Sequence, residues 1–132
     1  MVVDSSALVA VLLREPEAEA FTAALSDAPR RLIGAPSYLE TVMVMVGRHG
    51  PSARGAVDRL VVGIGAEVVP FTPDQARRAT EAFMRYGKGR GHPANLNFGD
   101  CCSYALATET GLPLLFKGDD FSRTDITPAL RR

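Results

Sequence analysis

Four short, largely apolar stretches, "MVVD" (1–4), "RRLIGA" (30–35), "AEVVPF" (66–71) and "PLLFKG" (113–118), are separated along the chain by segments with helical spacing. Each has the length and aliphatic content of a buried strand. A helix-length crossover stands between one strand and the next, so tight antiparallel hairpins are unavailable and parallel pairing is the natural outcome. Strands alternating with helices predict a doubly wound, parallel α/β sheet with helices packed on it.

The helices carry their own punctuation. "SSALVAVLLRE" follows the first strand with a serine as its N-cap, and "PEAEAFTAALSDA" starts with Pro16 in the first turn and gathers Phe21, Ala24 and Leu25 on one face. Pro36 opens "SYLETVMVMVGRHG", which puts Glu40 in a first turn, and "PSARGAVDRLVVGIG" reads as the next helix. Thr72 caps "TPDQARRATEAFMRYG", with Pro73 behind it, and Gly111 closes "FGDCCSYALATETG". Between these two helices lies a glycine-rich loop, "GKGRGHPANLN".

A chain of 132 residues suits one domain, 1–132, built on one core. Its 15 basic and 15 acidic residues cancel, which excludes a long-range basic field, so any affinity for nucleic acid must be local. No apolar run reaches the length of a membrane span, and the chain opens on "MVVD" rather than on a signal peptide, so a cytoplasmic protein is expected, with no membrane partner. Cys101 and Cys102 are adjacent; they offer neither a disulfide framework nor a spaced pair of metal ligands, and are expected to pack as small apolar groups.

In a parallel α/β sheet, ligands bind beyond the carboxyl ends of the strands, where loops lead into helix N-termini. Asp4 ends the first strand, Glu40 and Asp100 fall in helical first turns, and Asp119 ends the last strand, so all four should project from one rim. Clustered carboxylates repel one another unless a cation joins them, and an all-oxygen set suits Mg²⁺ or Mn²⁺. Taken singly, each acid has a plainer role. Asp100, three residues after Asn97, fits a capping box, and Asp120 fits a turn.

The segments "MVVDSSALVAVLL", "SYLETVMVM", "LNFGDCCSYALA" and "LLFKGDDFSRTDI" together resemble the PIN-domain ribonucleases, and more narrowly the VapC toxins of bacterial toxin–antitoxin pairs. The resemblance implies a PIN-like three-layer fold, a central parallel sheet flanked by helices. Carried over by position, Asp4, Glu40 and Asp100 match the acidic triad of that family, and Asp119 or Asp120 supplies a fourth acid, with Asp119 favoured. Asp4, Asp100 and Asp119 are the implied metal ligands, and Ser6 is a hydroxyl bonded to those ligands or to a coordinated water. The implied activity is Mg²⁺- or Mn²⁺-dependent endonucleolytic cleavage of RNA by a metal-activated water, and the implied partners are a second copy of the chain and a VapB-type antitoxin.

The glycine-rich loop follows a helix and lacks the lysine–serine/threonine ending of a nucleotide phosphate loop. With Arg85, Lys88, Arg90 and His92 leading toward Asp100, its functional reading is a contact with the RNA backbone, the substrate being a structured RNA with an accessible single-stranded loop. The apolar run 41–47, "TVMVMVG", is expected to be buried on every side, in the core or against another chain. Two other functions compete. A PIN-like module that only binds RNA or a partner is disfavoured because an acidic rim without metal repels phosphate. A receiver or haloacid-dehalogenase-like phosphatase is disfavoured because "AEVVPFT" carries no phosphoacceptor aspartate and Ser6 stands where the phosphatase needs a second aspartate.

Overall fold

The computed structural model of the protein describes residues 1–131. In chain order it contains β1 (Val2–Val3), α1 (Ser5–Leu12), α2 (Ala18–Asp27), β2 (Leu32–Gly34), α3 (Ala35–His49), α4 (Ala53–Gly63), β3 (Glu67–Val69), α5 (Pro73–Tyr86), α6 (Phe98–Thr110) and β4 (Leu114–Leu115), with a 3-10 turn at Phe121–Arg123. The four strands form one parallel sheet in the order β3-β2-β1-β4.

Register and pleat make the three layers. Val2 lies opposite both Leu32 and Leu114, so these three side chains share a face; they join Ala82, Tyr86, Tyr104 and Leu106 of α5 and α6 in one core. Val3, Ile33 and Leu115, one residue on, point the other way and pack on Ala7, Leu8, Phe21 and Leu25 of α1 and α2. The outer edge of β4 is covered by the chain that follows, through Leu114 N to Thr127 O (2.9 Å) and Ala129 N to Leu114 O (2.8 Å). The strand order turns back at β1: β2 and β3 lie to one side and β4 to the other, so the switch-point crevice opens where β1 and β4 end.

Several local expectations are revised. The cap of α1 is Asp4, not a serine, because the Asp4 carboxylate accepts from the Ser6 amide. Glu40 lies in the second turn of α3, since Gly34 caps the helix and it starts at Ala35. The run 41–47 is amphipathic rather than buried all round: Thr41 and Met45 face inward, whereas Met43 is 65% exposed, with Leu39 one turn earlier at 57%. The cap of α5 at Thr72 and the left-handed Gly111 (φ 70°) that ends α6 are as the sequence reads.

Candidate active site

Asp4 is buried where β1 passes into α1, and both of its oxygens are engaged. Oδ2 accepts from the Ser6 amide (3.0 Å) and the Ser6 hydroxyl (2.6 Å), and Oδ1 accepts from the Ser103 hydroxyl (2.5 Å). Having given its proton to Asp4, Ser6 Oγ accepts from the amide of Lys117 just past β4 (3.0 Å). Ser103, likewise committed to Asp4, can only accept from Ser37, 3.1 Å away on α3. A buried carboxylate is tolerable only when satisfied in this way.

Glu40 reaches from α3 to the start of α1, where Ser5 donates to its Oε1 (2.6 Å). Asp100 is the third residue of α6 and closes a capping box: its amide donates to Asn97 Oδ1 (2.9 Å), and its Oδ2 accepts from the Asn97 amide (3.1 Å). The plain role and the functional role therefore coexist at Asp100. Burial pushes its carboxyl up to about 7 against the opposing pull of the Asn97 amide, and the charges of Asp4, Asp120 and Glu40 add to the rise. Asp4, Glu40 and Asp120 thus stand within electrostatic reach of Asp100 at the switch point.

The two acids after β4 separate. Asp120 contributes to the field at Asp100, and Asp119 lines a cleft with Glu17, Phe21 and Lys117. Lys117 extends its ammonium to Glu15 and, at 3.3 Å, to Glu17. Among the described residues, no ion pair neutralises Asp4, Glu40, Asp100 or Asp120.

Among the described residues no three acid, imidazole or thiol groups are drawn together tightly enough to grip a metal ion as they stand, so the ligand trio Asp4, Asp100 and Asp119 is not preassembled. The physical reason is visible in the hydrogen bonds: Asp4 is turned to two serines, Glu40 to Ser5 and Asp100 to its own helix cap. The chemistry of the donor set fits a hard divalent cation nonetheless, being all carboxylate, with Asp100 set among three like charges that no ion pair offsets among the described residues.

The basic loop is less free than its composition suggests. Its neck is pinned by Lys88 N to Leu96 O and Leu96 N to Tyr86 O, both 2.9 Å. Arg85 pairs with Asp125 (3.6 Å) and stacks over Tyr86 (4.6 Å to the ring centre); His92 packs edge-on against the same ring, and its Nδ1 accepts from the Ala94 amide. These two are occupied within the protein, while Arg90 stays exposed. Lys88 borders an apolar groove of about 560 Å³ with Phe71, Phe83, Asn97 and Phe98, beside the turn that carries Asp100. Cys101 and Cys102 are buried along this groove, and burial pushes each thiol up to about 11, as expected of packing groups.

Ser5, Ser37, Gly99 and Ser103 escape a reading that looks for charges. The available signal was spacing: Gly99 and Ser103 are four apart on α6, and Ser37 and Glu40 three apart on α3, so each pair shares a helix face.

An open parallel α/β sheet with carboxylates at its switch point defines a class of α/β proteins that take a ligand at that rim, and the comparisons with known proteins narrow it. The PIN domain model matches residues 1–126. The chain is 48% identical to ribonuclease VapC42 of Mycobacterium tuberculosis over 129 residues, covering 98% of each chain. It is 46% identical to ribonuclease VapC28 of the same species, covering 100% of this chain and 99% of the relative, and 48% identical to a VapC ribonuclease of Mycolicibacterium smegmatis, covering 96% and 97%. Among solved structures, M. tuberculosis VapC20, described as a sarcin-ricin loop cleaving toxin, superposes with a TM-score of 0.78 at 19% identity, over 99% of this chain and 98% of that one, a likeness of fold. The chain belongs to the PIN-domain family and, within it, to the VapC ribonucleases. As such it is an endoribonuclease toxin, a hydrolase of phosphodiester bonds.

Proposed function

We propose that the chain, acting as one PIN domain in the cytoplasm, cleaves RNA at the rim formed by Asp4, Glu40, Asp100 and Asp120, with Mg²⁺ or Mn²⁺ as cofactor. The observation that carries this reading is the crowding at Asp100, whose carboxyl is held near 7 by burial and by three like charges that a divalent cation would relieve. Asp4, Asp100 and Asp120 would hold the metal, which when bound would acidify a water and offset charge developing at phosphorus. Asp120 is put forward as the fourth acid beside the Asp119 that the sequence favoured, because its charge is felt at Asp100.

Each residue has a share in the chemistry. Ser6 occupies both lone pairs of Asp4 Oδ2 with its amide and hydroxyl, and Ser103 takes one of Oδ1, leaving Oδ1 a free lone pair. Glu40, tethered by Ser5, orients the attacking water. Lys88 and Arg90 contact the substrate backbone; with zero net charge and so few free cations, binding favours a shaped, single-stranded loop over a duplex.

Assembly follows from exposed apolar surface. Leu39 and Met43, one turn apart on α3, form the contact with a second copy, and the groove walled by Phe71, Phe83 and Phe98 takes an apolar segment of a VapB-type antitoxin.

Cleavage of an end-labelled stem-loop RNA tests the reading. Cutting in Mg²⁺, its loss with EDTA and its return on adding Mg²⁺ back are expected; RNA retention without cutting under all three conditions would instead identify a binding module.

A further inference from the structure

Resting on the assignment of Glu40 to the reaction, we propose that Gly99 is a positioning residue: its missing side chain is the seat on which the Glu40 carboxylate rests. Gly99 is buried in the first turn of α6, directly before Asp100. A Cβ built there would lie 2.5 Å from Glu40 Oε1, 2.8 Å from Oε2 and 3.0 Å from the carboxyl carbon. Its backbone gives no other reason for glycine, since Gly99 is not among the glycines with positive φ, and glycine weakens a helix relative to alanine.

The surrounding contacts show what would move. α3 and α6 meet along a polar seam, with Ser37 against Ser103 and, near one turn along each helix, Glu40 against Gly99. Asp100 is fixed by its capping box, so the first turn of α6 cannot retreat cheaply. The side that yields to a methyl group is the flexible end of Glu40. It would swing away from Ser5, whose bond to Oε1 is 2.6 Å, and alter its separation from Asp100. An alanine at 99 is therefore mild for the fold and harmful to the geometry of one carboxylate.

The test compares Gly99→Ala, Glu40→Asp and their combination, with Gly47→Ala as a control for helix propensity, since a Cβ at Gly47 in α3 meets nothing within 4 Å. Expected are wild-type cleavage by Gly47→Ala and a loss of about tenfold or more by Gly99→Ala, in keeping with the cost of small misplacements. The combined variant should be no worse than Glu40→Asp alone, because the shorter side chain withdraws from the methyl group. In the metal-free protein, the carbon-13 carboxyl resonance of Glu40 should shift in Gly99→Ala and not in Gly47→Ala. Wild-type cleavage by Gly99→Ala, an unmoved resonance, or a full tenfold loss persisting in the Glu40→Asp background would overturn the inference. Should Gly99→Ala fail to fold, recovery of folding on adding Glu40→Ala supports the contact and no recovery refutes it. Full activity of Glu40→Gln, with Gly99 intact, would remove the assignment of Glu40 itself.

Discussion

Ser103 on α6 donates to Oδ1 of Asp4, 2.5 Å away and 99 residues distant in sequence. This bond joins the helix that carries Asp100 to the strand end that carries Asp4, so two acids from opposite ends of the chain share one framework. Ser37, behind Ser103, extends that framework to the helix carrying Glu40.

Ser103→Ala should leave a buried carboxylate oxygen without its donor, and loss of one hydrogen bond to a buried charged group costs about 1–3 kcal/mol. A urea midpoint lowered to match, together with a higher half-saturating Mg²⁺ concentration for cleavage, is the expected outcome. A variant as stable as the wild type would mean that Asp4 does not depend on this bond.

The pH dependence of the metal-free protein follows from Asp100. Its carboxyl titrates near 7 when folded and near its ordinary 3.8 when unfolded, so in that interval the folded state binds more protons. Stability should fall as pH rises from about 4 to about 7 and then level off. Asp100→Asn should flatten this part of the profile in thermal melts and abolish cleavage, and Mg²⁺, competing with the proton, should be needed at lower concentration as pH rises through 7.

What the sequence made legible was backbone and charge. The strand and helix order follows from periodicity, and Asp4 and Asp100 follow from their places at a strand end and a helix start, whereas Glu40 lies a turn deeper in α3 than the sequence suggested. The fourth was ambiguous because Asp119 and Asp120 are adjacent, and a turn sends neighbouring side chains different ways. Arg85 and His92 looked available because sequence cannot show that Asp125 and the Tyr86 ring lie beside them. Ser103 and Gly99 matter through contacts with Asp4 and Glu40 far away in the chain, which no local pattern reveals.

The acidic pair can be separated by mutation. Asp120→Asn should lower cleavage by more than the roughly 10- to 100-fold typical of outer-shell partners of a metal, and Asp119→Asn by much less. Initial rates of both on one RNA decide the matter, and the reverse order would restore Asp119 as the fourth acid.

Leu39 and Met43 give assembly a specific test. Light scattering at tens of micromolar, where weak interfaces on the order of that Kd are populated, should give twice the chain mass for the wild type and a single chain mass for Leu39→Glu with Met43→Glu. A wild-type monomer would leave this face of α3 without the role given to it.

At the proposed metal site the attack on phosphorus comes from water rather than from the ribose 2′-hydroxyl. Analysis of the ends of RNA cut by the wild-type protein in Mg²⁺ measures this directly. A 5′-phosphate and a 3′-hydroxyl on every product are expected; 2′,3′-cyclic phosphate ends would contradict the roles assigned to Asp4, Glu40, Asp100 and Asp120.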